Sequence, residues 1–197
     1  LTNEIMDLRK IDSGKMELHC HHALVSHHIH EIVNSMSDMV ETRHQQLVVS
    51  DRTDGNLKMW IDLVSFEKIL GKLLSNAIKY TPAGTGSITV SLDDCILTVS
   101  DTGIGIAPED IPRIFDKGYT GENGRIEKRS SGLGLYLCKK AADLLQIPIS
   151  VDSTVGAGFI GIILRMRIMT TPEPPAPPAW LALPPPPPEP VPISPSV

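Results

Sequence analysis

Three polar side chains at helical spacing carry the first chemistry legible in this chain. Asn76, Lys79 and Tyr80 stand at i, i+3 and i+4, so a helix presents them on one face. An amide oxygen can ligate a hard cation, an ammonium can meet phosphate, and an aromatic ring can stack on a base. Asp101-Thr102-Gly103-Ile104-Gly105 follows the apolar run Ile96-Leu97-Thr98-Val99. A strand that ends in a carboxylate and two spaced glycines lets backbone approach a ligand, and the carboxylate can accept a hydrogen bond from an amino group. Gly132-Leu133-Gly134-Leu135 places bare N–H groups at a helix start, a natural anion site. Gly156-Ala157-Gly158 adds a glycine turn. Each has a plain alternative: a polar trio is usually a solvated face, Asp-x-Gly marks ordinary turns, and glycine pairs often serve packing. The order of the four, with a polar loop between the second and third, argues for one shared ligand.

The elements that must position these residues follow from periodicity. Leu1 to Arg9 is a short helical pattern, and Met16-Glu17-Leu18 reads as a short strand after it. Apolar residues from Ile29 to Val40 predict one helix over Val25 to Glu41. Gln46–Val49 and Leu57–Ile61 read as strands. Asp62 has the chemistry of an N-cap for a long helix, Leu63 to Tyr80, with core positions Phe66, Ile69, Leu70, Leu73 and Ala77. Thr81-Pro82-Ala83-Gly84 stops it. Ser87–Leu92 and Cys95–Ser100 predict an antiparallel hairpin around Asp93-Asp94, and Pro108–Phe115 a short helix. Residues 116–131 read as a long mobile loop, followed by a helix to about Leu145 and closing strands Pro148–Asp152 and Phe159–Arg165. The sum is an α+β fold, a mixed, mostly antiparallel sheet with helices on one face.

Composition narrows the function classes. A net charge of −5 argues against wholesale nucleic-acid binding. Cys20, Cys95 and Cys138 are odd in number and widely spaced, neither a disulfide framework nor a zinc signature, which suits a reducing compartment. The most apolar stretch, Phe159 to Met169, is broken by Arg165 and Arg167, so no membrane span is expected. Thirteen of the seventeen prolines lie between Pro172 and Pro195, a composition that cannot pack a core. The seven histidines sit mostly between His19 and His30, where a solvated surface is favoured over metal ligation. The chain opens in what reads as mid-helix, as expected of a fragment.

Taken together, residues 57–165 resemble the ATP-binding catalytic domain of bacterial sensor histidine kinases, in the gyrase–chaperone–histidine kinase–MutL superfamily. Leu74-Ser75-Asn76-Ala77-Ile78-Lys79-Tyr80-Thr81-Pro82 is similar to the N box and Asp101-Thr102-Gly103-Ile104-Gly105-Ile106 to the G1 box. Ile114-Phe115-Asp116-Lys117 is similar to the F box and Gly132-Leu133-Gly134-Leu135 to the G2 box. The resemblance implies a two-layer α/β sandwich of the Bergerat type that binds ATP and Mg²⁺ beneath a lid. It implies Asn76 as metal ligand, Asn76 and Lys79 in catalysis, Lys79 towards phosphate and Tyr80 beside adenine. Asp101 would accept from the adenine amino group, with Gly103, Gly105 and Ile106 admitting the nucleotide. Lys117, Gly132, Leu133, Gly134 and Leu135 would complete its phosphate end. The segment from Lys117 to Arg125 is similar to the lid of antibiotic-peptide-sensing kinases. Lys10-Ile11-Asp12-Ser13-Gly14-Lys15 resembles the junction after a second dimerisation helix. The implied domains are 1–14, the end of that helix; 15–168, the catalytic domain; and 169–197, a proline-rich tail. The implied partners are a response regulator receiver domain and a second copy joined through dimerisation helices, in the cytoplasm, with no nucleic acid and with membrane anchoring of the parent left open.

Three departures qualify the resemblance. The phosphoacceptor motif, a histidine followed by Glu and Arg, is absent; Ser26-His27-His28-Ile29-His30-Glu31 is the nearest string. Lys72 stands four before Asn76, where the family usually carries Asn and hydrolysing relatives carry Glu. Phe159 replaces a Thr that would help hold adenine. The alternatives are a degenerate nucleotide-binding scaffold and a serine kinase of the anti-sigma-factor type, the latter disfavoured by the Asp12-Ser13-Gly14 junction.

Overall fold

Asp62 starts the helix around which everything else is packed. In the computed structural model, which describes residues 2–13, 15–121, 131–154 and 159–166 (without the side chains of 2–5, 12 and 159), its carboxylate accepts from the Ser65 N–H at 2.7 Å. A second backbone donor, the His19 N–H, reaches it at 2.6 Å. Burial alone would push this carboxyl up, but the Ser65 and His19 donors outweigh it and hold it below the usual range. The helix it caps, α4, runs Leu63–Tyr80 as its periodicity predicts. Phe66, Ile69, Leu70, Leu73, Leu74, Ala77 and Ile78 are buried along one side.

That side packs on a five-stranded sheet. Its strands are β2 (Gln46–Asp51), β4 (Ser87–Asp93), β5 (Ile96–Asp101), β6 (Ile149–Thr154) and β7 (Phe159–Arg165), in spatial order β2-β4-β5-β7-β6. Only the β2–β4 pair is parallel. Alternation sends Ile88, Val90 and Leu92, then Leu97, Val99 and Asp101, then Ile160, Ile162 and Leu164 to the helix-covered face. The other face carries half-buried Thr89, Ser91, Thr98 and Ser100. Asp101 therefore reaches the core side because it is in step with Leu97 and Val99, and it pairs with Ile88 and Ile160 in the ladder.

The remaining helices are α1 (Thr2–Asp12), α2 (Val25–Asn34), α3 (Ser37–Thr42) and α5 (Gly134–Leu144). α1 lies against α5, buries Ile11 and ties Asp7 to Lys68 of α4 at 2.9 Å. A separate two-stranded sheet joins β1 (His21–Leu24) to β3 (Lys58–Ile61).

Four local expectations are corrected. The strand lies at His21–Leu24 rather than Met16–Leu18, because β3 supplies a partner there. The helix expected over residues 25–41 is two helices: the Ser35 hydroxyl donates to the Ile32 carbonyl at 2.6 Å and the Ser37 hydroxyl to the Asn34 carbonyl, local bonds that compete with helix continuation. Pro108–Phe115 yields only a 3-10 turn at Ile111–Arg113, since Pro112 has no N–H and the bonds present are short-range. The hairpin turns at Asp94-Cys95, with Asp94 at φ +53°. Gly14, Lys128, Arg129, Gly156-Ala157-Gly158 and the proline-rich tail lie outside the described residues, as does the Phe159 side chain.

Candidate functional site

Asp101 is 6% exposed at the end of β5, and its Oδ1 accepts from the Gly103 N–H at 2.8 Å. Burial pushes its carboxyl up to about 6; the Gly103 N–H and the nearby Thr81 hydroxyl pull the other way and lose. Thr81 Oγ1 is itself buried and makes no hydrogen bond of normal geometry, so the Gly103 donor is the firmer contact. Thr102 fastens the same turn to β4, its N–H donating to the Ser87 carbonyl at 3.0 Å and its Oγ1 accepting from the Ser87 N–H at 2.9 Å.

This predicts a pH dependence whose sign is fixed. A carboxyl raised from 3.8 unfolded to about 6 folded binds its proton more tightly in the fold. Its contribution to stability is complete below the unfolded value and is lost as pH rises through about 6. Thermal unfolding of the nucleotide-free chain should therefore show Asp101→Asn gaining on the wild type as pH rises from about 4 to about 7.

Gly103 joins this turn to the end of α4. A Cβ there would meet Asp101 Oδ1 at 2.4 Å and the Tyr80 carbonyl oxygen at 2.8 Å, so only glycine lets the two segments touch. On that helix end, Asn76, Lys79 and Tyr80 are all half-buried. The Lys79 ammonium lies 4.8 Å from the Tyr80 ring centroid and donates to its hydroxyl at 3.3 Å. Lys79 and Tyr80 thus form one cationic, aromatic unit at the end of α4. Gly105 adopts φ +78°, and the Ile106 N–H donates to Ser153 Oγ on β6 at 2.9 Å while its side chain packs on the core.

Two glycines at the other end meet through their backbones. The Gly118 N–H donates to the Gly132 carbonyl at 3.1 Å, bringing the two flanks of residues 119–131 together. Gly132 has φ +65°, and a Cβ on it would strike the Gly118 carbonyl carbon at 2.5 Å. α5 then begins at Gly134 with Leu133 as cap residue, no side-chain cap bond and no acidic residue in its first turn. Its leading N–H groups and the positive end of its dipole are therefore suited to an anion. Leu133 donates its N–H to Ser131 Oγ at 3.3 Å, and Leu135 packs against the core. The Lys117 ammonium sits 5.9 Å from the ring centroid of Tyr136 on the same turn.

Lys72 is turned towards α5. A Cβ on Gly134 would lie 2.0 Å from Lys72 Cε, so the lysine stem occupies the space that the missing side chain leaves. It helps line a groove of about 450 Å³ between α1, α2, α4 and α5. The histidine string lies on α2, where His27 and His28 face Glu31 at 3.4 and 2.9 Å. Among the described residues no group of three His, Cys, Asp or Glu could hold a metal, and no helix is long and apolar enough to cross a membrane.

Several contacts were not legible in any motif. Arg43 and Gln45 donate to carbonyls at the end of α4. Tyr119 donates to Asp110 while Arg113 stacks on its ring at 4.4 Å, which fixes the strand of chain before Gly121. Arg43, Gln45 and Ser153 stand in segments with no periodic signal and reach partners more than thirty residues away.

Residues 61–169 match the family described as histidine kinase-, DNA gyrase B-, and HSP90-like ATPase. The chain is 30% identical over 171 residues to the autoinducer 2 sensor kinase/phosphatase LuxQ of Vibrio parahaemolyticus, covering 82% of this chain and 20% of that protein. It is 46% identical over 94 residues to the sensor protein BceS of Bacillus subtilis, covering 47% of this chain and 28% of that protein. The chain thus spans 20% to 28% of these relatives' length. The solved catalytic domain of histidine kinase ThkA superposes with a TM-score of 0.66 at 19% identity, over 76% of this chain and 97% of that one.

Proposed function

Because the chain belongs to the histidine kinase-, DNA gyrase B-, and HSP90-like ATPase family and is the ATP-binding catalytic domain of a sensor histidine kinase, we propose that its described site holds Mg²⁺-ATP and delivers the γ-phosphate to a histidine on a dimerisation helix. The observation that carries this is the buried Asp101 carboxylate, held by the Gly103 N–H, with the Tyr80 main chain at the end of α4 packed against the same glycine. Asp101 would accept from the adenine amino group, Tyr80 would lie along the base, and the Gly132–Leu135 N–H groups would take the phosphates.

Asn76 would offer Mg²⁺ an amide oxygen, which suits a hard ion that takes most of its ligands from phosphate and water. Mg²⁺ would supply charge neutralisation on the phosphates; Lys79 and the α5 N-terminus would orient them, and Asn76 would fix the register. The matching alignment with sensor kinases supports a receiver-domain partner, a homodimer and a cytoplasmic setting for this domain as parts of the same proposal.

A second reading, a nucleotide-binding scaffold without transfer, is favoured by Lys72, which stands at the position where hydrolysing relatives carry Glu and whose stem lies against Gly134. Labelled ATP separates the two. With the parent's dimerisation helices added, the chain should form phosphohistidine on those helices, and Asn76→Ala should slow this by about a hundredfold or more. Nucleotide binding without any transfer would support the scaffold, and phosphohistidine on this chain alone would overturn the proposed division of labour.

A further inference from the structure

The segment that ends α4 is gripped from outside every motif and outside the stretch matched by the family. Gln45 Nε2 donates to the Ile78 carbonyl at 3.0 Å and to the Thr81 carbonyl at 2.7 Å. Arg43 Nη2 donates to the Lys79 and Thr81 carbonyls, each at 3.3 Å. The carbonyls of Ile78 and Lys79 belong to the last helical turn, which has no partners within its own helix, and a guanidinium there also meets the negative end of the dipole. The main chain returns the grip: the Gly84 N–H donates to the Arg43 carbonyl at 3.0 Å, and the Gln46 N–H to the Gly86 carbonyl at 2.9 Å.

We propose that Arg43 and Gln45 are positioning residues for the adenine end of the site, an inference that rests on the nucleotide reading above. Their four bonds fix the carbonyls of Ile78, Lys79 and Thr81, and the carbonyl between the last two, Tyr80, is the wall against which Gly103 fits at 2.8 Å from its would-be Cβ. Gly103 in turn supplies the N–H that aims Asp101. A shift of residues 79–81 therefore passes through one backbone contact to the carboxylate. Ordinary capping does not need this much: the helix already closes with the Thr81 N–H on the Ala77 carbonyl at 3.0 Å.

The test uses calorimetric titration of the full chain with ADP and with GDP, well below each variant's unfolding temperature. Gln45→Met keeps length and volume but removes both amide donations; Arg43→Lys keeps the charge but not the planar fork, and guards against a variant that fails to fold. Gln45→Met should weaken ADP by about tenfold while GDP changes by less than about twofold, and Arg43→Lys should shift the ADP-to-GDP ratio in the same direction by a smaller factor. Unchanged ADP affinity in both variants, or equal losses for ADP and GDP, would reduce the pair to a helix cap and overturn the proposal. If the wild-type chain itself binds no ADP, the nucleotide reading fails and takes this proposal with it. Wild-type binding with an unaltered ratio in both variants sinks the clamp alone.

Discussion

Asp101→Asn is expected to fold normally and to lose the distinction between adenine and guanine nucleotides. The wild-type carboxylate has two acceptor oxygens, one committed to the Gly103 N–H at 2.8 Å. An amide in its place offers one acceptor and brings an NH₂ that would face the adenine amino group, donor to donor. A hydrogen bond to a charged group contributes about 1.5–3 kcal/mol, so ATP should weaken by roughly ten- to a hundredfold while GTP, which presents an acceptor at that position, does not weaken. Competition calorimetry with the two nucleotides reads the ratio directly. The same substitution removes a buried carboxyl that burial has pushed up to about 6, so the nucleotide-free variant should be no less stable than the wild type at neutral pH. An unchanged ATP-over-GTP preference would remove Asp101 from the adenine site.

Gly103→Ala should damage both fold and binding. Its Cβ would enter within 2.4 Å of the Asp101 carboxylate and 2.8 Å of the Tyr80 carbonyl, neither of which is the free end of a flexible side chain. Relief requires the end of α4 and the turn after β5 to move apart, an overpacking cost of about 1–3 kcal/mol before any ligand is present. Nucleotide affinity should fall by more than the Asp101 variant shows, because the base loses its wall as well as its acceptor. Gly71→Ala provides the control of opposite sign. Gly71 lies inside α4, and its would-be Cβ meets only Met36 Cε at an ordinary 3.7 Å. That variant should gain about 0.5–1 kcal/mol in thermal or denaturant unfolding. A destabilised Gly71→Ala alongside a tolerated Gly103→Ala would contradict the packing described at both positions.

How far the chain can be read from its letters depends on the range of the forces involved. α4 was legible to the residue, because Asp62 supplies a local cap and Thr81-Pro82 a local stop. The strand ending in Asp101 was legible from its apolar run, and the structure adds that alternation with Leu97 and Val99 turns the carboxylate to the core side. The break after Asn34 was not legible, since Ile29 to Val40 keep helical spacing and only the hydroxyls of Ser35 and Ser37 divert the carbonyls. β1 was misplaced because a four-residue strand with one buried side chain shows no alternation of its own; β3 defines it. The grip of Arg43 and Gln45 lay beyond any periodicity, as two polar residues before a strand look like loop until the chain folds back on them. The Lys72 stem lies along Gly134 at the head of α5, a placement that its spacing from Asn76 does not reveal.

The most direct test of the nucleotide site is an amide NMR titration of the full chain with ADP and Mg²⁺. The shifted resonances should cluster at Lys79 to Thr81, Asp101 to Ile106 and Gly132 to Leu135, with Gly103 moving most. Shifts confined to the groove between α1 and α5, around Met36 and Cys138, or no saturable shift at all, would contradict it.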